Sequence, residues 1–120
     1  MKLSKSILLV AFVFLFAATA TLRSATPSIS VSPARLLVGN IVKMKGKGFT
    51  PKATIHSHLR RPDGTEFPLL AMLTDANGEI SHEIETFILG PGVFELWIDD
   101  DTAKKTTEHV RFEATLTPVE

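Results

Sequence analysis

Short stretches in which apolar and polar residues alternate fill the chain from Ser28 onward. Ile29 and Val31 alternate with serines, Val42 and Met44 with Lys43 and Lys45, and Ile55, Ser57 and Leu59 with His56, His58 and Arg60. Phe94, Leu96 and Ile98 alternate with Glu95, Trp97 and Asp99, and Val110, Phe112 and Ala114 with Arg111 and Glu113. A period of two belongs to strands with one dry and one wet face. Turn residues punctuate the runs at Gly39-Asn40, Pro62-Asp63-Gly64, Asp75-Ala76-Asn77-Gly78 and Gly90-Pro91-Gly92. The spacing predicts seven or eight strands: Ile29–Val31, Leu36–Val38, Val42–Met44, Ile55–Leu59, Glu66–Leu73, Ile80–Phe87, Val93–Ile98 and Val110–Leu116. No helical stretch is expected. Pro68 falls inside a run and marks that strand as an edge. Two such sheets packed face to face make an all-β sandwich.

The first residues follow a different pattern. Lys2 and Lys5 precede twelve uncharged apolar residues, Ile7–Ala18, and Ala18-Thr19-Ala20 closes the stretch with small residues. A basic start, a short apolar run and an A-x-A site describe a secretory signal peptide over residues 1–20. A bilayer span takes about 20 apolar residues, more than this run supplies. Residues 21–27 read as a linker and 28–118 as one domain, destined for secretion, the periplasm or the cell surface. Removing Lys2 and Lys5 leaves eleven of thirteen basic side chains against thirteen acidic ones, a net charge of −2 with His neutral. That is no electrostatic footprint for nucleic acid, and no second apolar segment provides a membrane span. The absence of Cys rules out a disulfide framework. Exported small domains of animals usually rely on disulfides, so a Cys-free one fits a bacterial exporter better.

The order Val31-Ser32-Pro33, Val38-Gly39 and Val42-Lys43-Met44-Lys45-Gly46-Lys47-Gly48-Phe49-Thr50-Pro51 resembles the opening of bacterial immunoglobulin-like domains of surface and secreted proteins. Pro62-Asp63-Gly64-Thr65, Thr74-Asp75-Ala76-Asn77-Gly78, Gly90-Pro91-Gly92-Val93-Phe94 and Asp101-Thr102 continue the likeness, which covers nearly all of Ile29 to Ala114. The resemblance implies an immunoglobulin-like sandwich serving as spacer, adhesive module or ligand binder. A Tyr often follows the Pro-Gly pair in such domains; Phe94 stands here and removes a phenolic hydrogen bond. Gly46 and Gly48 are expected to flank a turn that lets Phe49 plug one end of the sandwich.

Strand parity predicts a candidate contact face. The strands ending at Leu59, Ile98 and Ala114 lie side by side in an immunoglobulin-like sandwich, with the Val93–Ile98 strand in the middle. Their outward residues then gather Trp97, Arg60, Arg111, His58, His109 and Glu95 on one surface. An aromatic anchor beside Arg has the composition of a binding hot spot. The alternative is a solvated face in which carboxylates pair with Arg or His across strands and Trp97 lies under a guanidinium.

Two metal readings are open. His56-x-His58 places two imidazoles on one strand face, a spacing that suits Zn²⁺ or Cu²⁺ but lacks a fixed third ligand. Asp99-Asp100-Asp101 forms a charge cluster in an expected loop, where Asp99 and Asp101 could draw Ca²⁺, although three consecutive carboxylates cannot all face one ion. Asp75-x-Asn77-Gly78 lacks the Gly and Glu placement of an EF-hand and reads as a hairpin turn. Gly46-Lys47-Gly48 lacks phosphate-loop spacing. Ser81 and His82 point to opposite strand faces and make no nucleophile–base pair. The expectation is therefore a non-enzymatic exported module without a cofactor, acting on a protein or envelope partner. A structural accessory domain without its own ligand is the second reading, and an exported metal-binding protein the third.

Overall fold

A computed structural model describes residues 26–118. The expected leader and most of the expected linker lie outside the described residues. The chain forms strands β1 (Ser28–Ser32), β2 (Arg35–Leu37), β3 (Ile41–Lys47), β4 (Thr54–Arg60), β5 (Leu70–Leu73) and β6 (Ile80–Glu85). A helical turn α1 (Thr86–Leu89) follows, then β7 (Gly92–Asp100), β8 (Lys105–Thr106) and β9 (Val110–Thr115). The smaller sheet has the order β1-β3-β6, and the larger β2-β9-β7-β4-β5, with β8 pairing the end of β7. All pairs are antiparallel except β2 with β9, which run parallel with Arg35 opposite Glu113 and Leu37 opposite Thr115. The chain is an all-β sandwich.

The core is built from the apolar half of each alternation. Val42 and Met44 of β3, Ile55 of β4, Phe94, Leu96 and Ile98 of β7, and Phe112 and Ala114 of β9 are buried between the sheets. Removing such side chains from water stabilises the fold by about 1.5–3 kcal/mol each. Phe94 and Phe112 stack with ring centroids 5.3 Å apart. Phe49 is buried at one end, as expected. Buried threonines secure the connections. Thr74 Oγ1 accepts the Ala53 N–H and donates to the Thr50 carbonyl, and Thr107 Oγ1 accepts the Ile98 N–H.

Four expectations need correction. Gly46 flanks no turn. It lies within β3, and a Cβ there would come within 2.7 Å of the Phe49 ring and 2.8 Å of Ile80. Gly48 does occupy a left-handed conformation, with φ +82° and the Thr26 carbonyl against it. The strand expected to reach Phe87 stops at Glu85, because the buried Thr86 bonds back to the connection between β2 and β3. Its Oγ1 accepts the Gly39 N–H and donates to the Asn40 carbonyl, and the chain then closes one helical turn. The expected run from Glu66 shortens to Leu70–Leu73, with Pro68 outside it, and β5 is an edge as predicted. Asp99 and Asp100 belong to β7 and not to a loop.

Candidate functional site

The antiparallel pairing of β7 with β4 sets Trp97 opposite His58, Glu95 opposite Arg60 and Asp99 opposite His56. On the other flank Glu95 faces Arg111 and Leu96 faces Val110, which brings His109 beside Trp97. All six sequence-predicted contact residues, Trp97, Arg60, Arg111, His58, His109 and Glu95, therefore meet on the outer face of the larger sheet. The parity that buries Phe94, Leu96 and Ile98 puts them there.

Trp97 points outward yet is only 8% exposed, because its neighbours cover it. The His58 ring stacks on it at 4.9 Å and 5°. The His109 ring does so at 4.2 Å and 6°. The Arg60 guanidinium carbon lies 4.8 Å from the indole centroid, within the range of a cation–π contact. Trp97 is thus the centre of a three-ring stack with a guanidinium beside it, the arrangement of the solvated-face alternative, with two imidazoles added to it.

Glu95 is the electrostatic centre. Its carboxylate accepts from Arg60 Nη1 at 3.0 Å and Arg111 Nε at 3.1 Å, and lies 2.9 Å from His109 Nδ1. The hydrogen bond from His109, with the bond from Arg111 and the positive charge of Arg60, outweighs burial and holds Glu95 below its ordinary value. Arg111 remains the most exposed member of the group.

His58 is held at both nitrogens. Nε2 lies 2.6 Å from Asp99 Oδ2, and Nδ1 lies 3.2 Å from Glu66 Oε1. Two carboxylates favour the doubly protonated ring. Burial opposes its charge, but the bonds to Asp99 and Glu66 outweigh it and raise the imidazole above 6.5. Burial likewise opposes the charge of Asp99, and the bonds from His58 and Thr106 outweigh it, so its pKa is lowered. The stability contributed by His58 is complete below about 6.5 and is lost as pH rises through the elevated value. The contributions of Glu95 and Asp99 are present above the ordinary carboxylate range and are lost as pH falls through their depressed values. Ring-proton NMR is expected to give His58 a midpoint above 6.5, removed downward by Asp99→Asn. A midpoint at or below 6.5 contradicts the two-carboxylate clamp.

The metal candidates do not converge. His56 Nδ1 pairs with Asp101 Oδ2 at 3.0 Å, while His58 takes Asp99 and Glu66. The three consecutive aspartates diverge: Asp99 faces the outer surface, Asp101 reaches His56, and Asp100 turns inward to Thr50. Among the described residues no three His, Cys, Asp or Glu side chains group as a metal set. Sequence reasoning missed the clamp on His58 by Glu66, which approaches from the run between β4 and β5. It also missed the inward role of Asp100, although carrying the alternation 94, 96, 98 one step further points to it.

Compared with known proteins, the chain matches no protein-family model, and no curated protein matches it in sequence.

Proposed function

We propose that the chain is an exported immunoglobulin-like module that acts by contact with a protein or envelope partner, through the outer face around Trp97. The observation that carries this reading is the convergence of Trp97, two stacked imidazoles and two arginines from three strands far apart in sequence. Glu95 fixes Arg60 and Arg111 in place before any partner arrives, which reduces the entropy lost on binding. Arg111 donates through Nε to Glu95 and keeps its terminal nitrogens directed at a partner carboxylate or carbonyl. The leader pattern and the resemblance to bacterial immunoglobulin-like domains support export and an adhesive or binding role.

A structural accessory domain is the second reading, favoured by how fully the charges on this face satisfy one another and by the coverage of Trp97. Paired baits separate the two. Wild type, Trp97→Ala and Arg111→Glu are exposed to the native envelope fraction. On the contact reading a captured partner is lost from both variants, with affinity reduced by about thirtyfold, the scale of a hot-spot truncation. Retention of the same partner by both variants, with circular dichroism unchanged, removes this face as the contact surface.

A further inference from the structure

We propose that β5 is a dimerisation edge, pairing antiparallel with β5 of a second copy of this chain about a two-fold axis at Ala71. On one side of the sandwich β1 and β2 end their sheets and the chain passes from one to the other; on the opposite side β5 and β6 end their sheets in the same way. A groove lined by Met72, Leu73, Ile80 and His82 runs along that side.

The backbone of β5 is poised for another strand. Thr74 N–H donates to the Ala53 carbonyl at 2.9 Å. In an antiparallel ladder, inward and outward backbone groups alternate by residue. The N–H and C=O of Leu73 and Ala71 therefore point away from β4. Among the described residues, β4 is the strand that pairs with β5.

Edge strands are commonly guarded by charges. β5 reads Leu-Ala-Met-Leu and has none. β6 carries Glu83 and Glu85, and self-pairing centred on Glu83 or Ile84 would oppose glutamates.

The side chains of β5 are self-complementary in one register. Leu73 is 71% and Leu69 56% exposed. A pairing centred on Ala71 sets Leu73 of each copy against Leu69 of the other on the outer face, with the small Ala71 side chains meeting at the axis. On the inner face Leu70 meets Met72 of the second copy. Each leucine thereby leaves water against another, and no charge is opposed by its like. A two-fold pairing consumes both edges and closes, in contrast to a head-to-tail contact. The two larger sheets become continuous, and both Trp97 faces lie on the same side. That doubling of the contact face rests on the reading above; the dimer does not.

Sedimentation velocity over a concentration series tests it. The wild type is expected to move from monomer to a closed dimer. Ala71→Lys is expected to weaken self-association by at least about tenfold, since like charges meet at the axis, with an unchanged circular-dichroism spectrum. The natural chain has no Cys, so Ala71→Cys provides a clean second test. Oxidation is expected to cross-link it across the axis, faster than Ser81→Cys on the β6 edge. A wild type that stays monomeric or grows beyond a dimer overturns the proposal. So does an Ala71→Lys chain that associates like the wild type, or equal cross-linking of the two cysteines. Partner capture by a purely monomeric protein would sink the dimer alone. A confirmed dimer whose Trp97→Ala form captures the same partner would sink the contact reading alone.

Discussion

Replacing Asp100 by alanine is expected to lower the stability of the fold by about 3 kcal/mol, the scale of losing several charge-assisted bonds in a buried site. Asp100 is 1% exposed. Its carboxylate accepts the Thr50 N–H at 2.8 Å, the Thr50 hydroxyl at 3.0 Å and the Ala103 N–H at 3.2 Å. It ties the connection after β3 to the end of β7, and alanine removes the one acceptor these partly buried bonds share. Burial opposes its charge, and the bonds from Thr50, Ala103 and Thr102 outweigh it, so the carboxyl titrates below its ordinary value. Its contribution is present above about 3.9 and disappears as pH falls through the depressed folded value. Urea denaturation at neutral pH measures the loss as a lower midpoint at unchanged slope. The difference between wild type and variant should shrink in acid. A loss below about 1 kcal/mol, the net worth of one ordinary hydrogen bond, contradicts this account.

Phe112→Ala is expected to cost about 4 kcal/mol, within the range for emptying an aromatic site in a packed core. Phe112 is buried against Leu36, Val42, Phe94 and Ala114, and its ring stacks on Phe94. The two flanking residues, Arg111 and Glu113, belong to the outer surface, so a β9 that relaxes into the void shifts Arg111 against Glu95. The measurement is again the denaturation midpoint, with Trp97 fluorescence as a second probe. Phe112→Leu retains much of the volume and should recover about half of the loss. Equal losses for Ala and Leu would show that ring shape, and not filled volume, governs the site. Typical domains are stable by about 5–15 kcal/mol, so either Asp100→Ala or Phe112→Ala alone takes a large part of it.

The alternation of Phe94-Glu95-Leu96-Trp97-Ile98 was readable without any structure, because a strand with one dry face has no other way to sort its side chains. The same holds for β4 and β9, and so the six residues of the outer face could be grouped in advance. Their state could not. Whether Trp97 is open or covered depends on where His58 and His109 place their rings, which is a matter of cross-strand register and rotamer. The role of Thr86 was hidden because a helical turn of four residues leaves no period to detect. Gly46 misled for a related reason. A glycine needed for close packing against Phe49 reads, in sequence, like a glycine needed for a turn. The three aspartates look alike on paper and receive three separate fates from one alternation and one strand end.

The parallel pairing of β2 with β9 has a mechanical consequence. The described chain enters beside Gly48 and leaves past Thr115, which lies against Leu37 and Val38 at the opposite pole. Tension between the two ends passes first through β1, held by β3, and then draws β2 and β9 in opposite directions along their common axis. The ladder, including the Val38 N–H to Thr115 carbonyl and the Glu113 N–H to Ala34 carbonyl bonds at 2.8 Å, is then loaded all at once in shear. It cannot open one bond at a time like a zip. A molecule tethered at one end and gripped at the other would resist stretching far better than its thermal stability alone implies.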